Sequence, residues 1–378
     1  CWLRWSRGSG VCALSLRSAP GVPQAFPLAR TRLPPGFTIV LVAGVPGARD
    51  RTFGGNGTLF AGSIDGDVRA ITFDTRDVQA WHANVRTIAS GLRQPVGVAF
   101  RDRALYASAV SRILRWDDIE QRLDHPSAQG VVSERCPTDG HHGWKFIAFG
   151  PDGKLYVPVG APCNVCEPDP SRYANVMRMN ADGSDLEVYA RGIRNTVGFD
   201  WDPATHDLWF TNNGRDNMGD DIPPDTLNHA PTTGLDFGFP YCHAGTIPDP
   251  EFGREKPCSE FVPPAQRPGG HAASLGMRCY PGTTFPPGYP RGAVLGVCTG
   301  LFGVVLAALV IAAGRATCTD TGGARMAGHI PVVDTWGQWR SFALFGAVGA
   351  AAAMVLGAFT GGIEGERWHG KLLARAVD

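Results

Sequence analysis

An all-β repeat architecture of the propeller type is predicted for this chain on three observations. One strand-turn-strand grammar recurs four times at spacings of about 50 residues, the period of a four-stranded propeller blade. Each copy carries alternating apolar residues closed by turns of Gly, Asp, Asn or Pro. Gly and Pro number 49 and 30 in the 378 residues, which favours many tight turns over long helices.

The repeat is clearest in its second strands, which begin at Leu59-Phe60, Leu105-Tyr106, Leu155-Tyr156 and Leu208-Trp209. The last three are preceded by matching runs at 96–100, 146–149 and 197–201. Further alternating runs follow the first three at 68–73, 113–116 and 176–179. A β-sandwich with accidental internal similarity is the competing reading, and four repeats in phase weigh against it. The segment from Asp139 to Gly160 places the pair His141–His142 at the mouth of one such hairpin, ahead of a Gly-Pro-Asp-Gly turn. A titratable imidazole there is placed to act as a general base.

Charge excludes one class of partner. Lys+Arg and Asp+Glu both total 35, so nothing points to nucleic acid through bulk charge. Acid is concentrated locally at Asp207, Asp216, Asp220, Asp221 and Asp225, without the spacing of an EF-hand. Of the ten cysteines, Cys136, Cys163, Cys166, Cys242, Cys258 and Cys279 fall in the loop-rich middle, a pattern suited to disulfides in an oxidising compartment. Cys163-Asn-Val-Cys166 also reads as half a zinc site. No second CxxC or HxxxH accompanies it, which favours the disulfide.

Three regions are expected. Residues 1–33 are an unstructured or processed N-terminal segment, and 34–290 carry the propeller. Residues 291–378 form a membrane region, with transmembrane helices near 292–314 and 341–362 because both stretches are uncharged and long enough to cross a bilayer. Small residues in the second suit close helix contact. Cationic flanks (Arg315, Arg325, Arg340 against Arg367, Lys371, Arg375) balance, so they set no orientation.

Several ordered motifs then resemble one family. Leu33-Pro-Pro-Gly-Phe-Thr-Ile, His141-His-Gly-Trp-Lys-Phe-Ile-Ala-Phe-Gly-Pro-Asp-Gly, Ala190-Arg-Gly-Ile-Arg-Asn-Thr-Val-Gly-Phe, Asn212-Asn-Gly-Arg-Asp and Leu235-Asp-Phe-Gly-Phe-Pro-Tyr occur in the order shown by the glucose/sorbosone dehydrogenases. These are quinoproteins that oxidise sugars with pyrroloquinoline quinone (PQQ), and the sorbosone-dehydrogenase-like branch is the nearest in likeness. The resemblance implies a six-bladed propeller, with His142 as general base on the sugar's anomeric hydroxyl and His141 as the fallback. It implies that Arg194 and Asn195 contact the quinone. It also implies that the Asn213-Gly214-Arg215 loop holds calcium (Ca2+) through the backbone at Gly214 and Arg215, braced by Asp220 and Asp221.

Four to five blades are legible before residue 290, so the resemblance further implies a C-terminally incomplete ring. The Lys and Arg contacts expected from the closing blades have no counterpart, which would weaken quinone binding. The expected function is PQQ-dependent oxidation of an aldose or sorbosone-type sugar, with a cytochrome or membrane quinone as electron acceptor. The expected setting is membrane-anchored, with the propeller on the periplasmic or extracellular side. A non-catalytic, membrane-anchored propeller that binds a sugar or protein is the alternative. A calcium-dependent lactonase-type propeller is disfavoured by the Arg-Asn and Asn-Gly-Arg motifs.

Overall fold

In the computed structural model, residues 42–74 and 82–279 are described in full, and 2–5, 37–40, 293–298 and 307–311 as backbone strands. The chain divides into two compact units, Ala43–Arg278 and a second made of both termini.

Ala43–Arg278 is a propeller-like arrangement of four antiparallel blades. The first comprises Ala48–Phe53, Leu59–Ser63, Val68–Phe73 and Ala83–Ala89. The second comprises Val98–Arg101, Ala104–Ala109, Arg112–Trp116 and Gly130–Ser133. Ala148–Phe149, Leu155–Val159, Asn175–Met179 and Glu187–Arg191 form the third, extended by Leu235–Asp236, which pairs parallel to Glu187–Arg191. The fourth comprises Phe199–Trp201, Leu208–Asn212, Pro224–Ala230 and Gln266–Gly270. All four Leu-aromatic pairs of the sequence repeat therefore lie in the second strands of successive blades.

The burial pattern explains why those strands read as continuous apolar or small runs. Leu59–Ser63, Ala104–Ala109 and Leu155–Val159 are buried at every position, so neither face of these strands carries a solvent-facing polar set. Ala83–Ala89, the last strand of the first blade, has a single buried position. Three apolar cores fill the spaces between the blades. Phe60, Val68 and Ile88 meet Leu105, Leu114 and Trp116 between the first and second. Tyr106 and Ile113 meet Leu155, Val157 and Met179 between the second and third. Tyr156, Val176 and Tyr189 meet Phe199, Leu208 and Phe210 between the third and fourth.

Turn chemistry follows the residues present. Asp102 and Arg103, both with positive φ (49° and 65°), close a two-residue hairpin whose backbone twist matches its strands. In the Gly-Pro-Asp-Gly turn, Gly153 at φ 80° donates to the Gly150 carbonyl at 2.9 Å. Where blades meet, backbone approaches backbone: a Cβ on Gly97 would lie 2.1 Å from the Lys145 carbonyl oxygen, so only glycine fits there.

The second unit is described only in its strands. Trp2–Trp5, within the segment expected to be unstructured, pairs antiparallel with Phe37–Val40, as its aromatic residues favour. Ala293–Cys298 and Ala307–Ile311, parts of the first expected membrane helix, pair antiparallel as strands, in keeping with Val294, Val297, Val310 and Ile311. The rest of 292–314 and all of 341–362 lie outside the described residues. Among the described residues no helix is long and apolar enough to cross a membrane.

Candidate active site

His142 sits at the entry to the third blade with φ 49°, a left-handed conformation. Its Nδ1 lies 2.8 Å from the Ala161 carbonyl oxygen. A carbonyl can only accept, so Nδ1 carries the proton and Nε2 keeps its lone pair. Burial, then the Arg194 charge, and last His141 push the imidazole pKa down from 6.5 to about 3, against the opposing pull of the Ala161 hydrogen bond. The ring is thus neutral at physiological pH, in the tautomer a base needs at Nε2. His141 is exposed, its ring centroid 4.1 Å from that of His142.

Lys145 supports this turn from below. It is 2% exposed and its ammonium donates to the Gly143 carbonyl at 2.6 Å. Burial lowers its pKa.

Arg194 is brought to His142 through the chain end of the second strand in the third blade. Ala161, whose carbonyl holds His142, donates its own N–H to the Arg194 carbonyl at 2.8 Å. Between them Gly160 is pressed against both: a Cβ there would lie 2.5 Å from the His142 Cβ and 3.2 Å from the Arg194 carbonyl oxygen. Gly160→Ala is therefore expected to displace the imidazole. It should cost about 1–3 kcal/mol of stability by overpacking, read by urea denaturation, and lower kcat more than it raises KM.

The Arg194 side chain is buried and largely spoken for within the protein. Nε donates to the Asn164 carbonyl at 2.8 Å, one terminal nitrogen to Asn164 Oδ1 at 2.9 Å, and the other to the Asn213 carbonyl at 3.3 Å. Its nearest carboxylate, Asp216, stands 3.5 Å away. Asn195 next to it is half-buried. Its backbone N–H donates to Asn212 Oδ1 at 2.9 Å, while its carboxamide makes no hydrogen bond among the described residues.

The loop 213–216 is fixed from three sides. Gly214 N–H donates to Asp225 Oδ1 at 2.8 Å, and Asp225 is buried, its pKa raised by desolvation. Asp216 N–H donates to Asn164 Oδ1 at 2.8 Å. Arg215 turns its side chain away to Asp249, 2.6 Å from Oδ2, which His243 Nε2 also meets at 2.8 Å. The Gly214 and Arg215 carbonyls accept no hydrogen bond from the described residues. Asp220 and Asp221 are exposed, and their backbone packs so closely on Gly270 that a Cβ there would lie 2.8 Å from the Asp221 carbonyl.

Two backbone oxygens without a hydrogen-bond donor among the described residues are hard donors of the kind calcium takes, so the loop offers that ion part of its oxygen shell. No group of three or more His, Cys, Asp or Glu among the described residues could itself hold a metal. For a quinone, the Nε2 of His142, the open carboxamide of Asn195 and the cation of Arg194 come from adjoining segments and supply base, amide and positive charge.

Disulfides join Cys163 to Cys166 and Cys242 to Cys258. The structure thus resolves Cys163-x-x-Cys166 as a disulfide, and Cys136 remains a buried thiol. Asn164, Asp225, His243 and Asp249 are the residues that sequence reasoning did not assign. Asn164 carried a local flag in its place inside the CxxC, and Asp225 in its place in the acidic cluster; His243 and Asp249 carried none.

The profile of the Glucose / Sorbosone dehydrogenase family matches residues 107–297, half of the chain. The chain belongs to the glucose/sorbosone dehydrogenase family. An uncharacterized protein of Borreliella burgdorferi is 30% identical over 216 residues, 54% of this chain and 57% of that protein. The chain thus spans little more than half the length of the curated relative it matches. Among solved structures, the holo form of the pyranose dehydrogenase PQQ domain from Coprinopsis cinerea superposes with a TM-score of 0.61 at 16% identity, over 74% of this chain and 78% of that one. The calcium structure of a family AA12 carbohydrate-active enzyme from Trichoderma reesei gives 0.53 at 17%, over 68% and 78%. Apo soluble aldose sugar dehydrogenase from Escherichia coli gives 0.52 at 16%, over 67% and 80%. At these identities the likeness establishes the propeller fold.

Proposed function

We propose that this member of the family is a PQQ- and calcium-dependent dehydrogenase that oxidises an aldose or a sorbosone-type sugar. The observation that carries the reading is the His142 imidazole, neutral and with Nδ1 tied to a carbonyl, leaving Nε2 as a base beside a buried cation. When bound, the quinone accepts hydride and calcium polarises it.

The residues of the chain divide the remaining work. His142 Nε2 takes the proton of the sugar hydroxyl. Arg194 supplies fixed positive charge where negative charge develops, and Asn195 offers its carboxamide to a carbonyl or carboxylate. Gly214 and Arg215 would hold the ion through their backbone oxygens. Further parts of the proposal are a propeller of the six-bladed type with four to five blades present, electron transfer to a cytochrome or membrane quinone, and a membrane anchor with the propeller on the periplasmic or extracellular side. The uncharged stretch 341–362 and the two disulfides support that setting.

The direct test is dye reduction by the full chain with aldoses, after adding quinone and calcium. Activity abolished by a calcium chelator and restored by the ion supports the reading. No turnover with both present overturns it.

The imidazole also sets a pH signature. Because its folded pKa is near 3, kcat/KM is expected to show no limb from this base between pH 5 and 8. A limb near 6.5 would contradict the assignment. Stability carries the same signature. The unfolded imidazole protonates near 6.5 and the folded one near 3, so between those values the unfolded chain binds more protons. The contribution of His142 is complete above pH 6.5 and falls as pH drops, by up to about 1.4 kcal/mol per unit.

A further inference from the structure

We infer that Asn164 is a positioning residue that sets both the Arg194 guanidinium and the 213–216 loop, and that the Cys163–Cys166 disulfide holds it in that role. Four hydrogen bonds converge on this one side chain and its carbonyl. Asn164 Oδ1 accepts from Arg194 at 2.9 Å and from the Asp216 N–H at 2.8 Å. Its Nδ2 donates to the Asp216 carbonyl at 3.1 Å, and its own carbonyl accepts from Arg194 Nε at 2.8 Å. One residue therefore spans 30 positions to the cation and 52 to the loop.

The charge balance shows why the contact matters. Arg194 is 5% exposed, and its nearest carboxylate stands at 3.5 Å, so neutral dipoles do most of the solvating of the buried cation. Two of its three neutral acceptors belong to Asn164, and the third is the Asn213 carbonyl. Free Asn164, and the guanidinium loses both its solvation and its direction.

The disulfide fits this local task. The bridged cysteines are three positions apart, with Asn164 between them. A ring this short removes little entropy from the unfolded chain, so its main effect is to hold the intervening backbone.

The functional half of this inference rests on the sugar-dehydrogenase reading, while the geometric half does not. Three full-length variants test it: Asn164→Ala, Asn164→Asp, and Cys163→Ser with Cys166→Ser. Asn164→Asp keeps the acceptor for Arg194 and the Asp216 N–H. Three quantities are measured: hydrogen exchange of the Asp216 amide, affinity for calcium alone, and kcat and KM with quinone and an aldose. Asn164→Ala is expected to speed Asp216 exchange and weaken calcium binding, each by about 10- to 100-fold, the loss of a charge-assisted network. It should lower kcat more than it raises KM. Asn164→Asp should restore most of each, and the double serine variant should shift all three the same way by less.

A lowered Tm in Asn164→Ala with Asp216 exchange and calcium affinity unchanged would make the residue a loop strut and overturn the inference. Should the wild-type chain bind neither calcium nor quinone, the dehydrogenase reading fails on its own. Asp216 exchange then decides: accelerated in Asn164→Ala and restored in Asn164→Asp supports positioning, and unchanged overturns it.

Discussion

Replacing His142 with Asn is expected to lower kcat for sugar oxidation by about 10²- to 10⁴-fold, the usual contribution of a positioned general base, with the fold intact. Asn tolerates the left-handed conformation that His142 adopts at φ 49°, so the backbone turn persists. Its amide N–H can replace the Nδ1 proton against the Ala161 carbonyl, 2.8 Å away in the native site. What it lacks is a basic lone pair at the Nε2 position. Steady-state kinetics with matched circular dichroism and Tm would separate lost chemistry from lost structure. The companion His141→Ala removes an exposed ring with no hydrogen bond among the described residues, and should change kcat less than tenfold. Comparable losses in both variants would shift the base role away from His142 alone. A loss in His141→Ala alone would reverse the assignment.

How much of this was legible in the sequence depends on the range of the interaction. The second strands were readable because they are the buried strands of their blades. Leu59-Phe60, Leu155-Tyr156 and their equivalents must therefore be apolar on both faces, and the turns on either side mark their ends. The place of His142 ahead of that hairpin was readable because the Gly-Pro-Asp-Gly turn that closes it lies a few residues further along the chain.

The partners that orient these groups were not readable. Asn164 meets Asp216 across 52 residues between loops of the third and fourth blades, and Arg215 meets Asp249 across 34, in the long insertion before the last strand of the fourth blade. No local pattern encodes such a contact. Arg215 shows this well. Sequence reasoning placed it in a calcium loop for its backbone, and its side chain serves a separate purpose in holding that backbone still.

That purpose yields the second large effect. Asp249→Ala is expected to destabilise the protein by about 3–5 kcal/mol, the range for breaking a buried ion pair by removing one partner. Its carboxylate is fully buried and accepts from Arg215 at 2.6 Å, from His243 at 2.8 Å, and from the backbone N–H groups of Glu251 and Phe252 at 2.8 and 3.0 Å. Burial by itself would raise its pKa. The bonds from His243, Arg215 and the two amides outweigh that and hold it near 2, so the charge persists at any working pH.

Removal strands a largely buried guanidinium and a buried imidazole together. Urea denaturation midpoints at constant m measure the loss. Adding Arg215→Met to Asp249→Ala should recover part of it, because the stranded cation then goes too. Additive losses in the double variant would mean the two side chains act independently. Arg215 also lies beside the carbonyls offered to calcium, so Asp249→Ala should weaken calcium binding even at temperatures where the chain stays folded. The ion pair would then hold the loop at Arg215 while Asn164 positions it at Asp216, and the candidate metal carbonyls would owe their placement to both.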